Sequence, residues 1–198
     1  MQEMGVICRT IDEFFIDIVF LLEGFPDKEL SAPQRQFLED FYQEEFDRPE
    51  SPLESTQKRK TIQRQKLYAA AGRILSDVVD TQQAQELFRT LGKAYSGYVH
   101  GAYPHVMELY GGYPPKFHLN GMLDTPMADV WIENAKHYFY RAIQALMFIA
   151  GAFKNLHVFN GLEGVRTEFE KDAGYIPTNA LRDVLRLQGA AKEPKERT

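Results

Sequence analysis

The chain has one cysteine, Cys8, in 198 residues, and that scarcity excludes a good deal. A single thiol forms no intramolecular disulfide and no cysteine-based zinc framework, so the composition fits a reducing compartment and points to the cytoplasm. Long apolar runs are also missing. The run Phe14 to Leu22 is interrupted by Asp17, and Ala142 to Phe153 falls well short of the ~18–20 residues a membrane span takes; both fit buried helix. No cationic N-terminal segment leads into an apolar run and a small-residue cleavage site, so no secretory signal is expected. Basic excess is lacking as well: 28 Asp and Glu stand against 23 Lys and Arg, a formal net charge of −5. That argues against a protein that coats nucleic acid, while leaving room for a local basic site. Alternating strand patterns, internal repeats and low-complexity tracts are absent.

Two further absences concern chemistry. Gly111-Gly112 is followed by no Lys-Ser/Thr pair and preceded by no strand, so it is not a phosphate loop. The five histidines, His100, His105, His118, His137 and His157, include no His-Glu-x-x-His, and Glu133 and His137 are four apart rather than the three of a di-iron helix. No metal and no cofactor are expected. His137 and Arg141 are read as lying on the exposed side of their helix, and the other histidines as loop or cap residues. Cys8 sits on an apolar helix face and reads as packing. Ser96 and His100 lack the local sequence of a nucleophile elbow.

What is present is helical periodicity. With 44% hydrophobic and 26% charged residues, the chain fits one globular domain with a sizeable core. The expected architecture is all-α, an antiparallel bundle of about five to seven helices over residues 1–188, with a charged, disordered tail at 189–198. The first helix, 6–22, turns Ile7, Ile11, Phe14, Phe15, Ile18, Leu21 and Leu22 inward. Beside them Arg9, Glu13 and Asp17 make a polar stripe, read either as a solvent-side ion pair or as the polar wall of a pocket. An acidic helix over 34–46 precedes a long one, 56–79, which opens on Lys58, Arg59, Lys60, Arg64 and Lys66. That cluster is either a phosphate-facing patch or a solvated face offsetting the acidic segment. After an irregular loop at 113–121, Thr125-Pro126 starts a helix reaching 153. It turns Val130, Trp131, Tyr138 and Phe139 inward and, being apolar almost all round from Ala142, should be central. A weaker helix at 162–172 and a last amphipathic one at 176–187 follow.

The organising stretch is 81–112. Thr81 caps a helix whose inward residues are Ala84, Leu87, Phe88, Leu91, Tyr95 and Tyr98. At about 100° per residue, Arg89, Lys93, Ser96 and His100 gather on roughly the opposite side. Gly101 ends the helix, and Pro104 opens a short one over 105–110, stopped by Gly111-Gly112. An imidazole beside a fixed cation can act on a phosphodiester: the ring moves a proton at the ribose 2′-hydroxyl or leaving oxygen, and the cation steadies charge on phosphorus.

Tyr95-Ser-Gly-Tyr-Val-His-Gly101 after an amphipathic helix, Arg9-Thr-Ile-Asp-Glu13 on the first helix and an alanine-rich long helix together resemble the HEPN superfamily, especially members with a Tyr-Val-His signature. The resemblance spans about half the chain. It implies a helical bundle that dimerises, and a role in binding RNA or a nucleotide or as a metal-independent ribonuclease of a toxin or defence system, with a small antitoxin-like protein as partner. By position His100 matches the family histidine. Lys93 stands where the family places an arginine, with Arg89 a further turn back. In that reading His100 is the general acid/base, Lys93 and Arg89 hold phosphate, Ser96 adds a polar contact, and Tyr95 or Tyr98 shapes the site. Lysine lacks the bidentate fork of arginine. The alternative is a non-catalytic helical interaction or ligand-binding protein, whose contact surface is the aromatic-rich loop from Tyr103 to Phe117.

Overall fold

The computed structural model describes residues 2–174, apart from 24, 26–27, 44–46, 49, 58–59, 75–79, 120–121 and 123–124. Seven α-helices are found among them: α1 (Gln2–Leu22), α2 (Ala32–Tyr42), α3 (Arg64–Ile74), α4 (Thr81–Val99), α5 (Tyr103–Met107), α6 (Pro126–Ala152) and α7 (Leu156–Asp172). The only sheet among the described residues pairs two-residue strands, β1 (Tyr110–Gly111) and β2 (Lys116–Phe117), antiparallel. The fold is all-α.

α1 is the hub. Its buried Phe15, Ile16, Val19 and Phe20 meet Leu67, Ala70 and Ala71 of α3, Phe88 of α4, and Ile143, Ala145, Met147 and Phe148 of α6. Each large side chain removed from water contributes ~1.5–3 kcal/mol, and Ala70 and Ala71 let the backbones approach. α4 runs antiparallel to α1, since Gly5 lies under the Tyr98 ring while Ile16 and Phe88 line one cleft. α6 runs parallel to α1: Asp12 meets Tyr138 and Arg141, and the Phe25 ring lies 5.1 Å from that of Phe153. α7 folds back antiparallel on α6, with Tyr140 bonded to Glu170 at 2.8 Å.

Local sequence explains the boundaries, and several differ from expectation. α2 opens with a full capping box: Gln34 N–H donates to the Ser31 hydroxyl, while the Gln34 side-chain oxygen accepts from Ser31 N–H at 2.7 Å. The cap of α4 is Asp80 rather than Thr81, its carboxylate accepting from Gln82 and Gln83 N–H at 2.9 and 3.1 Å; a carboxylate here also favours the helix dipole. α3 begins only at Arg64, with residues 60–63 outside any helix. α5 spans 103–107 rather than 105–110, because Tyr110 enters the hairpin. α7 starts at Leu156, six residues earlier than the reading at Leu162: the Asn155 side chain accepts from Val158 N–H at 3.1 Å, and the helix carries Gly161 and Gly164 in its interior.

The inward faces are also redrawn. Ile7, Phe14, Leu87, Val130 and Phe139, all expected inside, are exposed. Arg141, expected outside, is bonded to buried Asp12. The readings for residues 44–46, 58–59, 75–79, 176–187 and the tail at 189–198 fall outside the described residues. No helix among the described residues is long and apolar enough to cross a membrane.

Candidate functional site

The corner between α4 and α5 is built by close approach. A Cβ on Gly97 would lie 2.2 Å from two atoms of the His105 ring, so only glycine lets α5 lie across the last turns of α4. There the His105 Nε2 donates to the Ala94 carbonyl at 2.9 Å, the proton assigned to Nε2 because a carbonyl only accepts. Gly101, at φ +61°, supplies the left-handed turn that ends α4.

Tyr95 and Tyr98 face inward, as their spacing predicts. Tyr95 meets Tyr138 edge-on at 5.6 Å, and Tyr98 packs against Trp131 at 5.5 Å and His105 at 4.2 Å. The Tyr98 hydroxyl donates to Glu108 at 2.6 Å. Burial raises both phenols above the ordinary value, and the Glu108 carboxylate raises Tyr98 further. Each therefore stays protonated at neutral pH and acts as packing and support, not as an acid or base.

The polar stripe faces the other way. His100 is exposed at the α4 C-cap, where its backbone N–H donates to the Ser96 carbonyl at 3.2 Å. Lys93 is exposed, Ser96 half-buried. Arg89 is exposed too, with its Nε 3.5 Å from Glu86. Seven residues of helix separate Lys93 from His100, roughly 10 Å along the axis, which a lysine side chain can largely bridge; Arg89 is roughly 16 Å away. His100 and Lys93 thus share one approachable surface, whereas Arg89 is too far along the helix to hold the same phosphate. The cleft between α1, α3 and α4 and the one lined by Gln36, Glu39, Asp40, Gln43 and Lys60 include neither His100 nor Lys93.

One of those clefts gives the stripe on α1 its meaning. Arg9, Asp12, Glu13, Arg64, Tyr68 and Gly92 line a cavity of about 70 Å³, far below the size of ligand pockets. Arg9 pairs with Glu13 at 3.0 Å, and Arg64 pairs with Glu13 at 3.4 Å and Asp17 at 2.6 Å. Arg9 and Glu13 therefore both pair and wall the small cleft, while Asp17 pairs with Arg64 outside its lining. Burial raises the Asp17 carboxyl, and the Arg64 guanidinium opposes that shift.

The polar network that the sequence reading missed lies beside the cleft. Asp12, 4% exposed, accepts from the Tyr138 hydroxyl at 2.9 Å and from the Arg141 guanidinium, which lies over the Phe15 and Tyr138 rings. Among the described residues no group of three or more His, Cys, Asp or Glu side chains is arranged to hold a metal ion.

With the geometry in place, comparison with known proteins adds no relative. No family model matches the chain, and no curated protein or solved structure matches it significantly.

Proposed function

We propose that this chain is a HEPN-like helical protein that binds RNA or a nucleotide through phosphate at the α4–α5 corner and cleaves RNA slowly there. The observation that carries this reading is the joint exposure of His100 and Lys93 on one side of α4, beside a left-handed glycine that leaves the ring approachable. In the proposed step, neutral His100 takes the proton of a ribose 2′-hydroxyl as its oxygen attacks phosphorus. The bond from phosphorus to the 5′-oxygen breaks, that oxygen takes a proton from water, and a 2′,3′-cyclic phosphate remains. Lys93 sits against the non-bridging oxygens as charge builds on them. A single ammonium on an exposed helix side supplies little orientation, and slow turnover is the physical consequence.

The test is a labelled single-stranded RNA, followed by anisotropy for binding and by gel for cleavage, in excess chelator. Lys93→Ala should weaken binding by about 5–10-fold, a loss of ~1 kcal/mol. His100→Ala should leave binding within about twofold and lower cleavage by ~10²-fold or more. If wild type neither binds nor cuts RNA, or both variants behave as wild type with unchanged helicity, the reading fails.

A second reading has its own observation. Tyr103, Tyr113 and Leu119 are 75%, 102% and 86% exposed on α5 and around the hairpin. An aromatic, projecting loop of this kind suits a protein-interaction surface, and it is the reading that remains if RNA does not bind.

A further inference from the structure

The acidic residues of this chain avoid one part of it. Of the 28 Asp and Glu, a single one, Glu108, falls between Leu87 and Leu123, although the chain as a whole carries a net charge of −5. That one carboxylate accepts the Tyr98 hydroxyl at 2.6 Å. The same stretch turns four aromatic rings to water: Tyr103 on α5, and Tyr110, Tyr113 and Phe117 on the hairpin, 75%, 43%, 102% and 49% exposed. Tyr110 faces Phe117 across the β1–β2 pairing, their rings 5.0 Å apart, and exposed Lys116 stands next to Phe117. Tyr103 is three residues from His100, so no more than about 11 Å of chain separates the two. A ring left in water forfeits the ~1.5–3 kcal/mol that burial of a Phe-sized side chain contributes. Four such rings on a corner nearly clear of acid suit a ligand that has flat faces and negative charge.

We infer that α5 and the hairpin stack the unpaired bases of a single-stranded RNA whose phosphate lies at His100 and Lys93. The inference rests on the phosphate-binding reading of the α4–α5 corner and names its substrate class. Every base has a π-face, so exposed rings hold a strand with little regard to its sequence. Bases inside a duplex are already stacked on one another and do not reach the rings. Stacking also supplies fixed contacts along the strand, which Lys93 by itself does not. A protein partner could cover the same rings, but a protein surface does not call for a stretch so depleted of carboxylates, whereas a polyanion does.

Fluorescence anisotropy with short labelled probes of equal length tests this: a single-stranded RNA, the same RNA paired to its complement, and an abasic strand that keeps the phosphates without the bases. The single strand should bind tightest, the duplex and the abasic strand about tenfold or more weaker. Tyr103→Ala and Tyr113→Ala should each weaken the single strand about 5-fold or more and leave the abasic strand within about twofold, with unchanged far-UV dichroism. Tyr103→Phe and Tyr113→Phe, which keep the ring, should bind as wild type. Lys116→Ala should lower the salt slope of single-strand binding by about 0.7, the loss of one phosphate contact, while the tyrosine variants leave that slope alone. If the abasic strand binds as tightly as the RNA, or the alanine variants bind RNA as wild type does, stacking is overturned, the phosphate reading stands, and the rings belong to a protein partner. A wild type that binds no strand overturns both.

Discussion

A single carboxylate settles how α1 and α6 are registered. Asp12 is enclosed, and its two oxygens take the Tyr138 hydroxyl and the Arg141 guanidinium. Removing one member of a buried pair leaves the other charge uncompensated, which costs ~3–5 kcal/mol, whereas replacing both by apolar residues of similar volume is close to neutral. Urea unfolding should therefore show Asp12→Ala destabilised by about 3 kcal/mol or more. Asp12→Leu combined with Arg141→Met should recover most of that loss, and a double variant as weak as the single one would mean that the charges are not the cause. Nothing local in the sequence marks this residue. Arg9, Glu13 and Asp17 stand at helical spacing and declare themselves as a stripe, but Asp12 has its partner 129 residues away, and a run of letters carries no trace of that distance. Gly97 was legible as a helix residue and illegible as a contact for the same reason. Gly97→Ala puts a methyl into the His105 ring, and overpacking of this kind costs ~1–3 kcal/mol. A melting temperature within about a degree of wild type would show that α5 shifts freely instead.

Among elements, α4 and α6 show where periodicity is and is not informative. α4 has clean sides: apolar residues three and four apart, cations opposite, an acid before it and a glycine after it. Its C-terminal end, its buried Ala84 and Phe88 and its exposed Lys93 and His100 follow from spacing, whereas its cap at Asp80 and the exposure of Leu87 do not. α6 was legible in length but not in orientation. Val130 and Phe139 lie about 80–100° of helical phase to either side of the buried Trp131 and Tyr138, and which part of so wide an apolar arc faces the core came from the way α1 and α7 approach it. The end of α4 supports a prediction of its own. A Cβ at Gly101 would meet nothing within 4 Å, so Gly101→Ala suffers only from its positive φ. That strain costs about 1 kcal/mol. If His100 needs this corner for reaction, the variant should also lose cleavage beyond its small loss of stability, an effect read by activity measured well below the melting temperature. Full activity with the expected drop in stability would detach the imidazole from the corner.

For the molecule as a whole, the junction of α1, α4 and α6 makes stability fall in alkali. Cys8 is 1% exposed, and burial raises its thiol from 9.0 to about 11. The phenols of Tyr95, Tyr98 and Tyr138 are raised in the same direction, burial again being the largest cause. Groups whose protons are held more tightly in the folded state than in the unfolded chain lend stability that is complete below the unfolded pKa. It is lost as pH rises, because the unfolded state then binds fewer protons. For Cys8 that window runs from about pH 9 to about pH 11, and the three phenols extend it upward from 10.0. The urea midpoint should therefore be level from about pH 7 to 8.5 and then drop by the equivalent of ~1–3 kcal/mol by pH 10.5–11. Tyrosinate absorbance at buried Tyr138 and half-buried Tyr95 and Tyr98 should appear together with the loss of far-UV dichroism, as one transition. If all the tyrosines ionised before any helix was lost, or if the midpoint held steady through pH 11, the enclosed junction that ties these three helices together would not be closed to water.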